Sequence, residues 1–189
     1  RQNARIFTAA ATDRNQLLDQ FDHRIRWHES VVWDAKRQAV TARRSQMLDA
    51  ICLETDRWPD PPVDAVLDAM LEGVRSLGID ALPWSRSLRS WQSRVGLLAR
   101  TDAPGGPWPD LSDTMLEETM AQWLTPYLSG LTRFREIDAD LLTEALTSQL
   151  TWKQRQRLDE MAPRHITVPS GFRRPIDYSQ KDPILAVRI

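Results

Sequence analysis

The sequence predicts an α+β fold: an OB-like small β-barrel or curled sheet built from both ends of the chain, with a mainly helical insert. Three observations predict it. Apolar residues alternate with polar ones near the N-terminus, and they recur at helical spacing through the middle. Short strand-like runs then return after position 162, separated by turn residues. Charge divides along the same lines. Residues 1–58 carry 10 Lys/Arg against 8 Asp/Glu, residues 59–162 carry 10 against 16, and residues 163–189 carry 5 against 2. An anionic partner is therefore drawn to the ends and repelled by the middle. The expected divisions are a β-rich N-terminal part over 1–61, a helical region over 62–162 and C-terminal strands over 163–189.

Taken in order, Arg5–Ala10 is a short strand stopped by the cap-type pair Thr12-Asp13, and Leu17, Leu18 and Phe21 fit one helical turn on a core. From Arg24 to Asp34 the period is two. Ile25, Trp27, Val31 and Trp33 fall on an apolar face, with Arg24, Arg26, His28 and Ser30 opposite, so both tryptophans read as core. Residues 34–38 form a hairpin connection without the usual glycine, after which Val40 and Ala42 point inward and Arg43 outward. Met47, Ile51 and Leu53 extend a third strand.

The middle is helical. Pro62 suits a first turn, and Val63, Leu67, Met70, Leu71, Val74 and Leu77 form a stripe that Gly78 stops. Ser85 caps a second helix with the stripe Leu88, Trp91, Val95 and Leu98, and 103–107 is a loop by composition. Leu116, Met120, Trp123 and Leu124 mark a third helix ended by Pro126; Asp138 opens a fourth. Thr151 and Gln154 form a capping box for a fifth, which ends before Pro163. The runs His165–Val168, Pro175–Tyr178 and Ile184–Val187 read as a strand meander.

Composition excludes several classes. With 41% hydrophobic and 27% charged residues, the 189-residue chain can bury a core. Its one cysteine, Cys52, excludes a disulfide framework and reads as an inert core residue; three scattered histidines make no metal cluster. No apolar run is long enough to span a membrane, and no signal peptide follows Arg1. The chain reads as an excised piece of a longer cytoplasmic protein.

Catalytic signatures are missing too. Phosphate-cradling glycine loops, a Gly-x-Ser-x-Gly elbow and a His-Glu-x-x-His pair do not occur, so no catalytic residue, metal ligand or bound cofactor is expected. His165 reads as structural, His23 as a lead-in to the strand, and the pairs Glu117-Glu118 and Asp138/Asp140 as helix-start carboxylates. The outward basic face is more informative. Arg24, Arg26, Arg43 and Arg44, with Lys36 and Arg37 in the connection and His28 beside them, lie on one side of a hairpin. Arg173 and Arg174 join it if the termini come together. Such a groove suits single-stranded nucleic acid, and exposed strands also carry charge simply for solubility.

One further pattern concerns order. Leu82-Pro83-Trp84, Trp108-Pro109-Asp110, Trp123-Leu124-Thr125-Pro126-Tyr127-Leu128, Leu158–His165, Pro169-Ser170-Gly171, Ile176-Asp177-Tyr178 and Leu185-Ala186-Val187-Arg188 follow one another at characteristic spacing. Val31–Asp34, Ala42-Arg43-Arg44 and Leu71–Gly78 add to the series. Together they resemble the C-terminal region of bacterial HrpB-type ATP-dependent RNA helicases of the DEAH group, with Phe172 a departure after Pro-Ser-Gly. The resemblance implies a parent enzyme with two RecA-like lobes that bind ATP and Mg²⁺ and hydrolyse the nucleotide, none of whose motifs lie in these residues. It also implies accessory domains, OB-like among them, that line the path of the single strand and dock on the motor lobes of the same chain. The other class open to this sequence is a structural or protein-interaction module without nucleic-acid contact, its helical middle packing through Trp84, Trp91, Trp108, Trp123 and Trp152.

Overall fold

The computed structural model describes residues 13–102, 106, 108–169 and 171–186. The strand expected at Arg5–Ala10, most of the loop at 103–107 and the end of the last run lie outside them. The described chain forms two compact units. One comprises residues up to Val32 together with Thr41–Pro62; the other comprises Trp33–Val40 together with the residues from Val63 onward.

The first unit opens with helix α1 (Arg14–Phe21), entered from Asp13. Strands β1 (Ile25–Asp34), β2 (Ala39–Leu48) and β3 (Ile51–Arg57) follow in a three-stranded sheet of order β1-β2-β3. The first connection works without glycine because the Asp34 carboxylate accepts from the backbone N–H groups of Lys36 and Arg37, at 3.0 and 3.1 Å, while Gln38 takes a left-handed φ of 47°. The second is a tight turn at Asp49-Ala50, with Asp49 at φ 53°. Met47 thus closes β2 instead of opening the third strand. Aspartate tolerates that conformation better than most side chains, which is the local reason the chain reverses there. A bulge between Gln46 and Met47 shifts the β2–β3 register.

The second unit holds most of the buried side chains. Helices α2 (Val63–Leu77) and α3 (Arg86–Thr101) present the expected stripes, and Met70, Val74, Leu88 and Val95 are fully buried. Gly78 ends α2 at φ 82°, where a Cβ is strained. Ser85 caps α3 by accepting from the Leu88 N–H. The expected third helix is broken into α4 (Asp113–Glu118) and α5 (Met120–Trp123), where the Thr119 hydroxyl bonds back to the Met115 carbonyl at 2.7 Å. Glu117 and Glu118 therefore end a helix instead of starting one. Helices α6 (Ala139–Thr147) and α7 (Trp152–Met161) begin at their expected caps, Asp138 and Thr151.

Two side chains secure the exit of α7. Arg94, only 1% exposed, donates from Nε to the Ala162 carbonyl at 2.6 Å and from Nη2 to the Leu158 carbonyl and to Asp159 at 2.5 Å. A guanidinium at a helix C-terminus satisfies carbonyls that have no helical partner. Tyr178 donates its hydroxyl to the Pro163 carbonyl at 2.7 Å. The hairpin turn is held in this unit by backbone bonds from Val40 N–H to Thr132 and from Phe134 N–H to Gln38, and by Trp33, whose indole lies against Gly73 of α2.

The OB-like barrel does not form among the described residues. Strands β4 (His165–Thr167) and β5 (Arg173–Pro175) pair with each other in a separate two-stranded sheet, and they fall in the second unit with the helices. One β-unit built from both ends is therefore corrected to two sheets. Each of these strands has only three residues, and Pro175 is tolerated because it lies between bonded pairs, with Ile176 N–H donating to the Arg164 carbonyl. Pro175–Tyr178 is not a strand of its own: only an isolated bridge joins Asp177 to Ile184. In the first unit Leu48 is the one buried residue among those described, and these residues enclose no barrel interior.

Candidate nucleic-acid interface

The eight residues expected to form one basic face are divided by the structure. Arg24, Arg26, His28, Arg43 and Arg44 lie in the first unit, whereas Lys36, Arg37 and Arg173 lie in the second. Arg173 is on β5, paired opposite Thr167. A place on the hairpin sheet requires both ends of the chain to join one sheet, and the two sheets are distinct.

Ion pairing sorts them further. Arg24 is paired with Asp49, and Arg37 with Asp34 at 3.8 Å. Arg44 forks onto one carboxylate oxygen of Glu29, with Nε at 3.1 Å and Nη2 at 2.7 Å, and its guanidinium lies 5.2 Å from the ring centre of Trp27 and 6.0 Å from that of Trp58. Trp27 is thus half-exposed at the surface, not core, covered on one side by a charged plane. Cys52 is exposed as well, 3.2 Å from the Thr55 hydroxyl. Trp33 does pack against the core, as its apolar face predicts.

The strand pleat then separates charge by face. Arg43 stands directly opposite Arg57, Arg44 opposite Asp56, Ser45 opposite Thr55 and Gln46 opposite Glu54. Alternate residues share a face, and directly opposed residues do too. Trp27, Glu29, Arg44, Glu54 and Asp56 therefore occupy one face. Arg26, His28, Arg43 and Arg57 occupy the other, with Ser45 and Thr55 hydroxyls 2.9 Å apart between them. On that second face the one strand carboxylate is Asp34, at the hairpin end of β1 and paired with Arg37, and all four basic side chains are exposed. Arg26 donates to the backbone carbonyls of His23 and Ile25, which leaves its charge uncompensated. Among the described residues Arg43 and Arg57 form no ion pair. Arg57 carries no such signal in the sequence, because only the β2–β3 register puts it on the face of Arg43.

Among the described residues no three His, Cys, Asp or Glu side chains are grouped to hold a metal ion, and no helix is long and apolar enough to cross a membrane. The arrangement is a cationic sheet face, chemically suited to binding a polyanion.

A family model described as ATP-dependent helicase C-terminal matches residues 123–189. The chain is also 30% identical over 188 residues to the ATP-dependent RNA helicase HrpB of Escherichia coli (strain K12), covering 99% of this chain and 23% of that protein. Residues 123–189 belong to the HrpB-type helicase C-terminal family, and the chain as a whole is similar to HrpB. Solved members agree. The crystal structure of the E. coli DExH-box NTPase HrpB superimposes with a TM-score of 0.62 at 30% identity, over 95% of this chain and 22% of that one. A second crystal structure, of the Escherichia coli DEAH/RHA helicase HrpB, gives 0.61 at 31% identity, over 87% and 21%. The chain thus spans about a quarter of the length of the HrpB proteins it matches.

Proposed function

We propose that this chain is a non-catalytic accessory region of a cytoplasmic ATP-dependent helicase that contacts single-stranded nucleic acid and docks on the motor lobes of the same protein. ATP and Mg²⁺ belong to those lobes in this reading. The observation that carries the contact is the face of Arg26, His28, Arg43 and Arg57, four exposed basic side chains without a carboxylate partner of their own. In the second unit, Lys36 at the hairpin turn and Arg173 on β5 are exposed cations as well, while Arg37 is paired with Asp34. Arg24 and Arg44 are set aside, because Asp49 and Glu29 already neutralise them.

Each phosphate contact releases condensed counterions, so affinity falls as salt rises. A small patch neutralises few phosphates, and the isolated chain should bind at about 10⁻⁴–10⁻⁶ M at physiological salt. Fluorescence anisotropy with a single-stranded oligoribonucleotide at several salt concentrations tests this. Replacing Arg26 and Arg43 together by Glu should weaken binding to all sequences alike and flatten the salt dependence. Unchanged affinity and slope in a variant with native circular dichroism would instead favour a docking module without nucleic-acid contact.

A further inference from the structure

We infer that the directly opposed pair Arg43 and Arg57 is a seat for one phosphate-type oxyanion. Two like charges face to face on neighbouring strands destabilise a sheet. The adjacent rung shows the ordinary solution, with Arg44 opposite Asp56 and bonded to Glu29. At Arg43 and Arg57 that solution is absent: Glu29, Glu54 and Asp56 all lie on the other face, and Asp34, at the hairpin end of β1, is paired with Arg37. The repulsion is relieved when an anion sits between the two guanidiniums.

The chemistry selects the anion. Each guanidinium offers a planar fork of N–H donors matched to two oxygens of a tetrahedral oxyanion. Two forks approaching from adjacent strands suit a group with several equivalent oxygens and a full negative charge. The next rung on that face is the hydroxyl pair Ser45 and Thr55, so the floor beside the seat is neutral and can donate. A phosphodiester of a bound strand and free inorganic phosphate or pyrophosphate share this chemistry. The strand as source rests on the function proposed above; the seat itself rests on the register.

The test is Arg57→Gln in the whole 189-residue chain, read in two ways. Denaturation midpoints are compared in chloride, phosphate and pyrophosphate at matched ionic strength, and anisotropy is measured with a single-stranded oligoribonucleotide. Phosphate stabilises proteins generally by exclusion from their surface, so the informative quantity is the difference between the parent chain and the variant. Removing one of the two charges should raise the midpoint in chloride and abolish the extra stabilisation by phosphate. It should also lower the salt slope of oligonucleotide binding by about 1. A lower midpoint in chloride, or equal phosphate stabilisation in both chains, would overturn the seat. If Arg26→Glu weakens oligonucleotide binding while Arg57→Gln leaves both readouts unchanged, the seat is wrong and the nucleic-acid reading stands. If Arg57→Gln abolishes the phosphate effect in a chain that binds no oligonucleotide, the seat stands with free phosphate as its ligand.

Discussion

Gly73 lies mid-helix in α2, where alanine is ordinarily favoured by about 1 kcal/mol. Here the added methyl would fall inside the Trp33 indole. Overpacking of this kind costs about 1–3 kcal/mol, so Gly73→Ala should lower stability in urea denaturation, and adding Trp33→Leu should restore part of the loss. Asp159 poses a different case. An exposed ion pair is worth at most about 1 kcal/mol, yet removing Asp159 leaves the buried Arg94 without its carboxylate. Asp159→Ala should therefore cost more than that surface value, measured the same way. Burial raises the Tyr178 hydroxyl above its ordinary value of 10.0, with the nearby Arg94 charge partly opposing. The folded chain then holds that proton more tightly than the unfolded one. Stability should be undiminished below pH 10 and fall as pH rises beyond it, a loss that Tyr178→Phe should blunt in alkaline melts. Single residues were unevenly legible in the sequence. Alternation placed Trp33 inside correctly and misplaced Trp27, because an apolar side chain on the inward parity is core only if another layer covers it.

Helix starts were the most legible elements, because capping is a local interaction between residues three apart. Ser85, Asp138 and Thr151 each accept from the backbone N–H three residues on, as their types and positions suggest. Thr151→Ala should therefore cost about 1 kcal/mol and shorten α7, readable as a lower denaturation midpoint with reduced helical circular dichroism. Elements that end or reverse without glycine or proline were harder. The break at Thr119 and the turn at Asp49 rest on a back-bonded hydroxyl and a left-handed aspartate, neither of which interrupts an apolar pattern. The same blindness shifted the C-terminal strand from 175–178 to Arg173–Pro175, since both stretches are short and extended. The basic face was half visible. Parity put Arg26, His28 and Arg43 together, while the carboxylates that quench Arg24 and Arg44 come from residues 25 and 15 positions away.

For the whole molecule, the α+β composition was readable and the closure was not. Closing a barrel requires pairings between the two ends of the chain, which no local pattern encodes, and the helical stripes of 63–158 assemble a core without them. Family membership was legible for the opposite reason, since a string of short motifs keeps its order whatever the sheets do. The hairpin carries a last consequence. Because Trp33–Val40 belongs with the helices while the strands on either side belong to the first unit, the chain crosses from one unit to the other three times. No single break in the gene could therefore donate either unit intact to another protein. A chain started at Val63 would lack the indole against Gly73 and the backbone partners of Thr132 and Phe134. Descent should consequently have kept the hairpin and the helices together as one heritable block, exchangeable with other proteins only as a whole.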